Sequence, residues 1–419
     1  MLDYNEFPAK NILCLDMKSF FASVEAVDRG LNPMETFLVV VANKASKGSV
    51  ILASSPQMKK KYGIKTGNRL FDIPMDDEEI LIVESRMALY VEAATQIIRI
   101  LESFVPYEAI DVYSIDEAWI CTDGTEKLFG DRWEVAKKIQ EKIHYETSLP
   151  SCIGIGPNKF LAKVILDMEA KKTGIAECRY EDVAFKLWPQ NLGEIWGIGP
   201  RIEKRLNKIG VFTVEDLART PVSKLKKHFG IIGEQLYWHS WGIDLSPTIQ
   251  SWNFEEERKS ISTGITLMSD YNTADTEMII LELCEEIGLR LRKSGLVAKT
   301  IYLGIGYSKN INGKFGHAHT IDDFTCLSSR IFEECILIFR KYHYEQPVRK
   351  VYVSVSNLQA FDTLQLKMFN GNEQKNLQLA FAVDELKDKY GKDAILRGIS
   401  LQENASARER ANKIGGHKK

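Results

Sequence analysis

The chain has 419 residues, a formal net charge of −2 and seven cysteines. A length of this order predicts about two to four folding units, and the near-neutral balance excludes a molecule that is basic throughout. Any nucleic-acid surface must therefore come from local clusters of Lys and Arg. The cysteines are scattered with no CxxC pair, which argues against a zinc site or a disulfide framework and for a reducing, cytoplasmic setting. No signal peptide, transmembrane run, internal repeat or low-complexity block is expected.

In chain order, "NILCLDMKSFFASVEAVDRG" starts as a strand over Ile12 to Leu15 and turns into a helix, with Ser19 as N-cap and Phe20, Val24 and Val27 as an apolar stripe. "FLVVVANKASKGSVILASS" reads as two buried strands around a Gly/Lys turn, and "PQMKKKYG" as a short basic helix ending at Gly63. "SRMALYVEAATQIIRILESFV" and "DRWEVAKKIQEKIHYETS" are amphipathic helices, "SCIGIG" is a strand, and "KFLAKVILDMEAKKTG" is a helix closed by Gly174. Residues 1 to about 178 thus read as one α/β unit with an insertion at roughly 28 to 85. Short helices come next over 179–248, then a linker at 249–259. Residues 260 to 356 have β-α-β-β-α-β order, which predicts a ferredoxin-like or related α+β domain. The last fifty residues, roughly, hold a charged helix and a basic end.

The stretch "DVYSIDEAWI" (111–120) has strand character, yet Asp116 and Glu117 stand side by side in it. Neighbouring strand residues face opposite sides, so one carboxylate would be buried unless the chain bends there at a bulge or turn. Asp16 ends the first predicted strand, and "LCLDM" beside "SIDEAW" in one sheet would bring the three acids together. Three carboxylates repel one another unless a divalent cation neutralises them, and hard oxygen ligands suit Mg²⁺. A surface turn or salt bridge is the plain alternative for an Asp–Glu pair.

The string YSIDEAW, taken with "LDMKSFFASVE", resembles the Y-family DNA polymerases, the lesion-bypass enzymes of the UmuC and DinB type. The resemblance runs in order from about residue 12 to 357. "VYSIDEAW" looks closer to the UmuC side, and "IGGHKK" resembles the UV-damage repair branch of Gram-positive bacteria and their mobile elements. It implies a multidomain α/β and α+β fold, a right-hand polymerase with palm (1–19 and 86–178), small fingers (20–85), helix-hairpin-helix thumb (179–248), α+β little finger (260–357), and a clamp-binding peptide with tail (358–419). It implies that Asp16, Asp116 and Glu117, with the backbone carbonyl of Met17, bind two Mg²⁺ ions. Lys18 departs from the acid or Asn of many relatives.

By the same resemblance, Phe20 and Phe21 contact the incoming dNTP, with Phe21 as a steric gate against a ribose 2′-hydroxyl. Phe21 falls about 100° off the buried stripe, so core packing does not require it, although a second packed aromatic is the alternative. In "QMKKKYGIK", Lys60 aligns with a triphosphate-binding cation and Gln57 with a Tyr of many relatives; a basic run is otherwise a solvated helix face. Lys171 matches a second triphosphate-binding lysine, and Lys159 and Lys163 share a helix face.

"WGIGPRIEKRLNKIG" resembles a helix-hairpin-helix, with Gly197 and Gly199 in the turn and Arg201, Lys204, Arg205 and Lys208 on the next helix. Such contacts hold phosphates without reading sequence. Arg290, Arg292, Lys293 and Lys299 are further DNA-contact candidates. Gln365, Leu366, Met368 and Phe369 match the peptide that docks bacterial polymerases on the sliding clamp, with "LQLAF" (377–381) a poorer rival.

The reading is a low-fidelity DNA-directed DNA polymerase that extends primers across damaged bases, a nucleotidyltransferase of the SOS response acting in the cytoplasm at the nucleoid. Primer-template DNA and the sliding clamp are its implied partners; a recombinase filament or small accessory subunit stays open, and no membrane is involved. A nucleotidyl cyclase or other palm-fold enzyme would share the carboxylates but not the hairpin or clamp peptide. A non-catalytic DNA- and clamp-binding factor would be expected to lack a carboxylate.

Overall fold

The computed structural model describes residues 2–74, 76–247, 259–311, 313–363 and 371–419. The chain divides into two compact units, Met1–Asn253 with His417–Lys419 and Phe254–Gly416.

In the first unit, β1 (Ile12–Met17) runs into α1 (Phe20–Asp28). Ser19 stands at the N-cap of α1 but has left-handed backbone (φ 49°) and makes no side-chain cap bond, so the expected cap is absent. Its hydroxyl accepts instead from Lys59 Nζ at 2.8 Å. The insertion forms its own three-stranded sheet: β2 (Leu38–Val41) pairs antiparallel with β3 (Ile51–Ser54) and parallel with β4 (Leu81–Glu84). Between β3 and β4 lies α2 (Pro56–Tyr62), started by the Ser55 cap on the Met58 amide and by Pro56, and stopped by Gly63 at φ 69°. The sheet packs a small core of Val39, Val41, Ile51, Met58 and Ile73.

The chain then returns through α3 (Met87–Glu102), β5 (Ile110–Val112), β6 (Glu117–Cys121), α4 (Glu126–Phe129), α5 (Arg132–Thr147) and β7 (Ser151–Gly156). Next come α6 (Lys159–Ile165), a π-helical turn (Leu166–Ala170), α7 (Lys171–Thr173) and β8 (Ile175–Glu177). The five strands take the order β5-β6-β1-β7-β8. Residues Ile12 to Leu15 of β1 are almost fully buried, as expected for a central strand covered on both faces.

Helix α6 lies unusually close to β7. A Cβ at Gly154 would sit 2.1 Å from the Ala162 carbonyl oxygen, and one at Gly156 would sit 2.5 Å from the Ala162 amide nitrogen. No side chain fits there, so these glycines set the depth at which α6 crosses the sheet. Gly154→Ala should therefore push α6 off β7 and cost about 3 kcal/mol, at the upper end for overpacking. Thermal unfolding checks this; an unchanged midpoint would show that the helix can shift freely.

Short α-helices follow among the described residues of the first unit: α8 (Val183–Lys186), α9 (Pro200–Asn207), α10 (Val214–Arg219), α11 (Val222–Phe229) and α12 (Ile231–Ser240). Asn158, the side-chain N-cap of α6, also donates to the Gly242 carbonyl at 2.7 Å, and Trp188 Nε1 donates to Ser240 O at 3.0 Å. The first bond ties the short helices to α6 beside the sheet, and the second joins the end of α8 to α12.

The second unit holds β9 (Ser260–Tyr271), α13 (Thr273–Lys293), β10 (Leu296–Tyr307), β11 (Lys314–Thr325), α14 (Ser328–Tyr342) and β12 (Val348–Ala360). This is the expected β-α-β-β-α-β order. The sheet order is β11-β10-β12-β9 with every neighbouring pair antiparallel, so two βαβ crossovers interleave. The charged C-terminal helix is α15 (Gly371–Tyr390). Arg292 of α13 is buried against Asp384 of α15, with bonds of 2.6 and 3.0 Å. Lys293 pairs with Asp388, and Arg290 donates to Ser262 O at 2.7 Å. Arg292 thus serves the unit's own packing, Arg290 and Lys293 remain exposed, and Lys299 lies over the Phe324 ring.

Candidate active site

The first two acids meet through strand register. β1 and β6 are antiparallel, and Asp16 stands directly opposite Glu117. Directly opposed residues share a face, so both carboxylates project to the same side of the sheet. Asp116 lies one residue before β6, in the hairpin turn after β5. The turn is closed by the Tyr113 and Ser114 amides donating to Glu117 O at 3.0 and 3.1 Å, and the Met17 amide donates to Asp116 O at 2.9 Å. Ser114 Oγ donates to Asp116 Oδ1 at 2.6 Å. The stretch with strand character is therefore a hairpin, and its turn resolves the conflict of two adjacent acids.

The carboxylate face is the one that α6 covers. Lys163, 5% exposed, has its Nζ 2.9 Å from both Glu117 oxygens. Lys163 is also 3.4 Å from Asp167, which pairs with Lys171 Nζ at 2.7 Å, and Lys171 lies 3.3 Å from Asp16. Glu117, Lys163, Asp167, Lys171 and Asp16 thus form one chain of alternating charge. The π-helical turn at Leu166–Ala170 leads directly into Lys171. Such a turn widens the helix by one residue and re-aims the side chains after it.

Burial pushes the Asp16 carboxyl above its ordinary range; Lys171 and Lys163 oppose the shift, and Asp116 and Glu117 add to it. Burial would lower Lys163, but the Glu117 hydrogen bond and the Asp167 charge hold it above its ordinary value. Lys171 is likewise raised against its burial, chiefly by Asp16 and Asp167. Among the described residues, no group of three His, Cys, Asp or Glu side chains is gathered closely enough to hold a metal ion. The donor set of Asp16, Asp116 and Glu117 is all oxygen and fits a hard divalent cation in chemistry. In this geometry two of the three acids are turned onto lysines.

Phe20 is 3% exposed and belongs to the core, while Phe21 is half-buried. The Phe21 ring stacks on Tyr90 of α3, with centroids 4.4 Å apart and planes 14° apart. On α2, Lys60 is exposed and Gln57 turns back to donate to Met34 O at 2.9 Å. Lys59 is the α2 lysine that the structure ties toward the acids, through Ser19. Burial lowers its pKa, Asp16 opposes that shift, and Lys171 adds to it.

At the hairpin, Gly197 has φ 92°, and Gly199 precedes Pro200 as the N-cap of α9. A Cβ at either glycine would meet nothing within 4 Å, so the turn presents bare backbone outward. Arg201 and Lys204 are exposed. Arg205 donates to His228 O and lies 4.3 Å over the Phe229 ring, which engages it within its own helical cluster. Gln365, Leu366, Met368 and Phe369 lie outside the described residues.

Sequence reasoning left Lys163, Asp167 and Lys59 without a role. The signal for the first two was present: Lys163, Asp167 and Lys171 recur at spacings of four.

Residues 15–167 match the family described as impB/mucB/samB, and residues 258–368 match its C-terminal domain. Residues 193–244 match a thumb domain described for DNA polymerase-iota. The chain is 44% identical to the "Putative UV-damage repair protein UvrX" of Bacillus subtilis over all of both chains. It is 35% identical to DNA polymerase IV 2 of the same organism, over 98% of this chain and 99% of that one. A solved Y-family DNA polymerase chimera of Dbh and Dpo4 superposes with a TM-score of 0.67 at 23% identity, covering 84% of this chain and 99% of the other. The fold is thus the right-hand polymerase architecture with its helix-hairpin-helix thumb. With the opposed Asp16 and Glu117 beside the Asp116 turn, and with relatives matched end to end, the chain belongs to the impB/mucB/samB family of Y-family DNA polymerases.

Proposed function

We propose that this protein is a low-fidelity DNA polymerase that extends primers across damaged template bases by nucleotidyl transfer at Asp16, Asp116 and Glu117. Its family makes it a DNA-directed DNA polymerase. The observation that carries the site assignment is the register of Asp16 against Glu117 with Asp116 in the adjoining turn. These carboxylates and the Met17 carbonyl would hold two Mg²⁺ ions, which supply charge neutralisation at the attacking and leaving oxygens. Lys171, with Lys59 and Lys60 of α2, faces the phosphates of the dNTP, and Phe21 lies against its sugar. Lys163 orients Glu117. Domain boundaries with palm at 1–19 and 86–178, fingers at 20–85 and little finger at 260–357 fit the separate sheets.

The bare hairpin backbone at Gly197 and Gly199, with Arg201 and Lys204, grips the primer-template backbone. Arg205, on the same helix, is engaged by the His228 carbonyl and the Phe229 ring. Residues 365–369 dock on the sliding clamp, and the enzyme works in the cytoplasm on nucleoid DNA in the damage response. No helix among the described residues is long and apolar enough to cross a membrane.

Substrate dependence tests the reading. Product should form only with primer, template, the templated dNTP and a divalent cation, and chelation should stop it. Product from an NTP alone would instead indicate a cyclase. DNA affinity should fall steeply with salt and be indifferent to sequence. A salt-insensitive, sequence-selective affinity would sink the backbone-grip assignment.

A further inference from the structure

Phe21 is held from behind by a buried polar anchor. Phe21 and Glu25 lie four residues apart on α1 and so share a helix face. Tyr90 of α3 covers both: its ring stacks on Phe21 at 4.4 Å, and its hydroxyl donates to Glu25 Oε1 at 2.7 Å. Tyr90 and Glu25 have no solvent exposure. Glu25 is fixed in turn by Arg86, which stands four residues before Tyr90. Arg86 Nε donates to Oε1 at 3.0 Å and Nη2 to Oε2 at 2.7 Å, and Arg29 pairs with the same carboxylate. Arg86 also pairs with Asp28 at 2.5 Å. Burial alone would push the Glu25 carboxyl up, but hydrogen bonds from Arg86, Tyr90 and Arg29 outweigh it and hold the group below its ordinary range.

Burying a carboxylate is a poor way merely to join two helices, because well-packed apolar side chains often do as well or better. Hydrogen-bonded anchors add direction, fixing where a ring stands to a fraction of an ångström. The rings of Tyr90 and Phe21 are nearly parallel, so a displaced Tyr90 would open space directly behind Phe21.

We propose that Glu25, acting through Tyr90, is a positioning residue for Phe21, and that this backstop sets how strongly the enzyme rejects ribonucleotides. The inference rests on the reading of Phe21 as the residue that meets the sugar. If the ring can recede, a 2′-hydroxyl fits and discrimination falls. Incorporation of deoxynucleotides, which need no such clash, changes little.

The test is single-nucleotide incorporation by the full-length protein, with kcat and KM measured for a dNTP and the matching rNTP. The variants are Tyr90→Leu, Tyr90→Phe, Glu25→Gln and Phe21→Val. Tyr90→Leu should raise the rNTP/dNTP ratio of kcat/KM by about tenfold, the lower end for a contact of methylene size. Tyr90→Phe keeps the ring but removes the hydroxyl anchor; it and Glu25→Gln should raise the ratio several-fold, with dNTP kcat/KM nearly unchanged. Should Tyr90→Leu fail to fold, the two conservative variants carry the test. If Phe21→Val raises the ratio but the Tyr90 and Glu25 variants do not, the backstop is wrong and the gate stands. Loss of dNTP and rNTP incorporation in equal proportion would mean a purely structural role and would also overturn it. If Phe21→Val itself leaves the ratio unchanged, gate and backstop fall together.

Discussion

Lys163→Met should destabilise the catalytic unit by about 3–5 kcal/mol, the cost of leaving a buried carboxylate without its partner. Lys163 is nearly enclosed and sits 2.9 Å from both oxygens of Glu117, whose side chain is itself only 9% exposed. A methionine fills the volume but supplies neither charge nor donor. For a unit of this size the thermal midpoint should fall by roughly 10 °C. The double variant Lys163→Met/Glu117→Gln should recover much of the loss, because no bare charge remains. If the double variant is as unstable as the single, the effect is packing rather than electrostatics. The pH dependence has a definite sign. Lys163 is raised above its ordinary value in the folded chain, so its contribution is fully present below the unfolded pKa. It is lost only as the pH rises through the folded value, above about 10.5.

Asp16→Asn should do the reverse: remove activity without removing stability. Primer extension should fall by about 10³-fold or more, on the order of 4 kcal/mol of transition-state stabilisation. The fold should lose little. Burial holds the Asp16 carboxyl above its ordinary range, which means that its ionised form is disfavoured in the native state. An acid shifted in that direction weakens the native state as the pH rises from the unfolded pKa through the folded one, and the penalty persists at neutral pH. Asparagine removes the penalty, and Lys171 keeps its bond to Asp167. An unchanged or higher thermal midpoint with extension lost is the expected pattern. A midpoint that drops sharply would show that Asp16 serves the fold.

How far the sequence revealed this site depends on the kind of interaction. That "LCLDM" and "SIDEAW" could lie side by side was readable from two short apolar runs ending in acids, whereas the register that sets Asp16 opposite Glu117 came from the structure. The bend at Asp116 came from the cost of burying one of two adjacent acids. Two strands of the insertion and the β-α-β-β-α-β unit came from periodicity, whereas β4 and its parallel pairing with β2 were not anticipated. Contacts between side chains of distant elements were not readable. Lys163 visibly shared a face with Lys159, but nothing local said that this face would meet Glu117. Arg292 looked like a surface cation and lies buried against Asp384, and Arg205 is stacked on Phe229. Ser19 has the chemistry of an N-cap, yet its positive φ takes its hydroxyl to Lys59. Such a residue's partner is set by tertiary packing rather than by propensity.

The central claim, that Asp16, Asp116 and Glu117 form a polymerase site that copies past damage, is tested most directly by primer extension. The templates are one undamaged and one carrying an abasic site, with Mg²⁺ and dNTPs, comparing the wild type with Asp116→Ala/Glu117→Ala. Extension on both templates by the wild type, and on neither by the variant, with DNA binding retained in both proteins, is the predicted result. Extension by the variant at a rate near that of the wild type would contradict the assignment of the catalytic carboxylates.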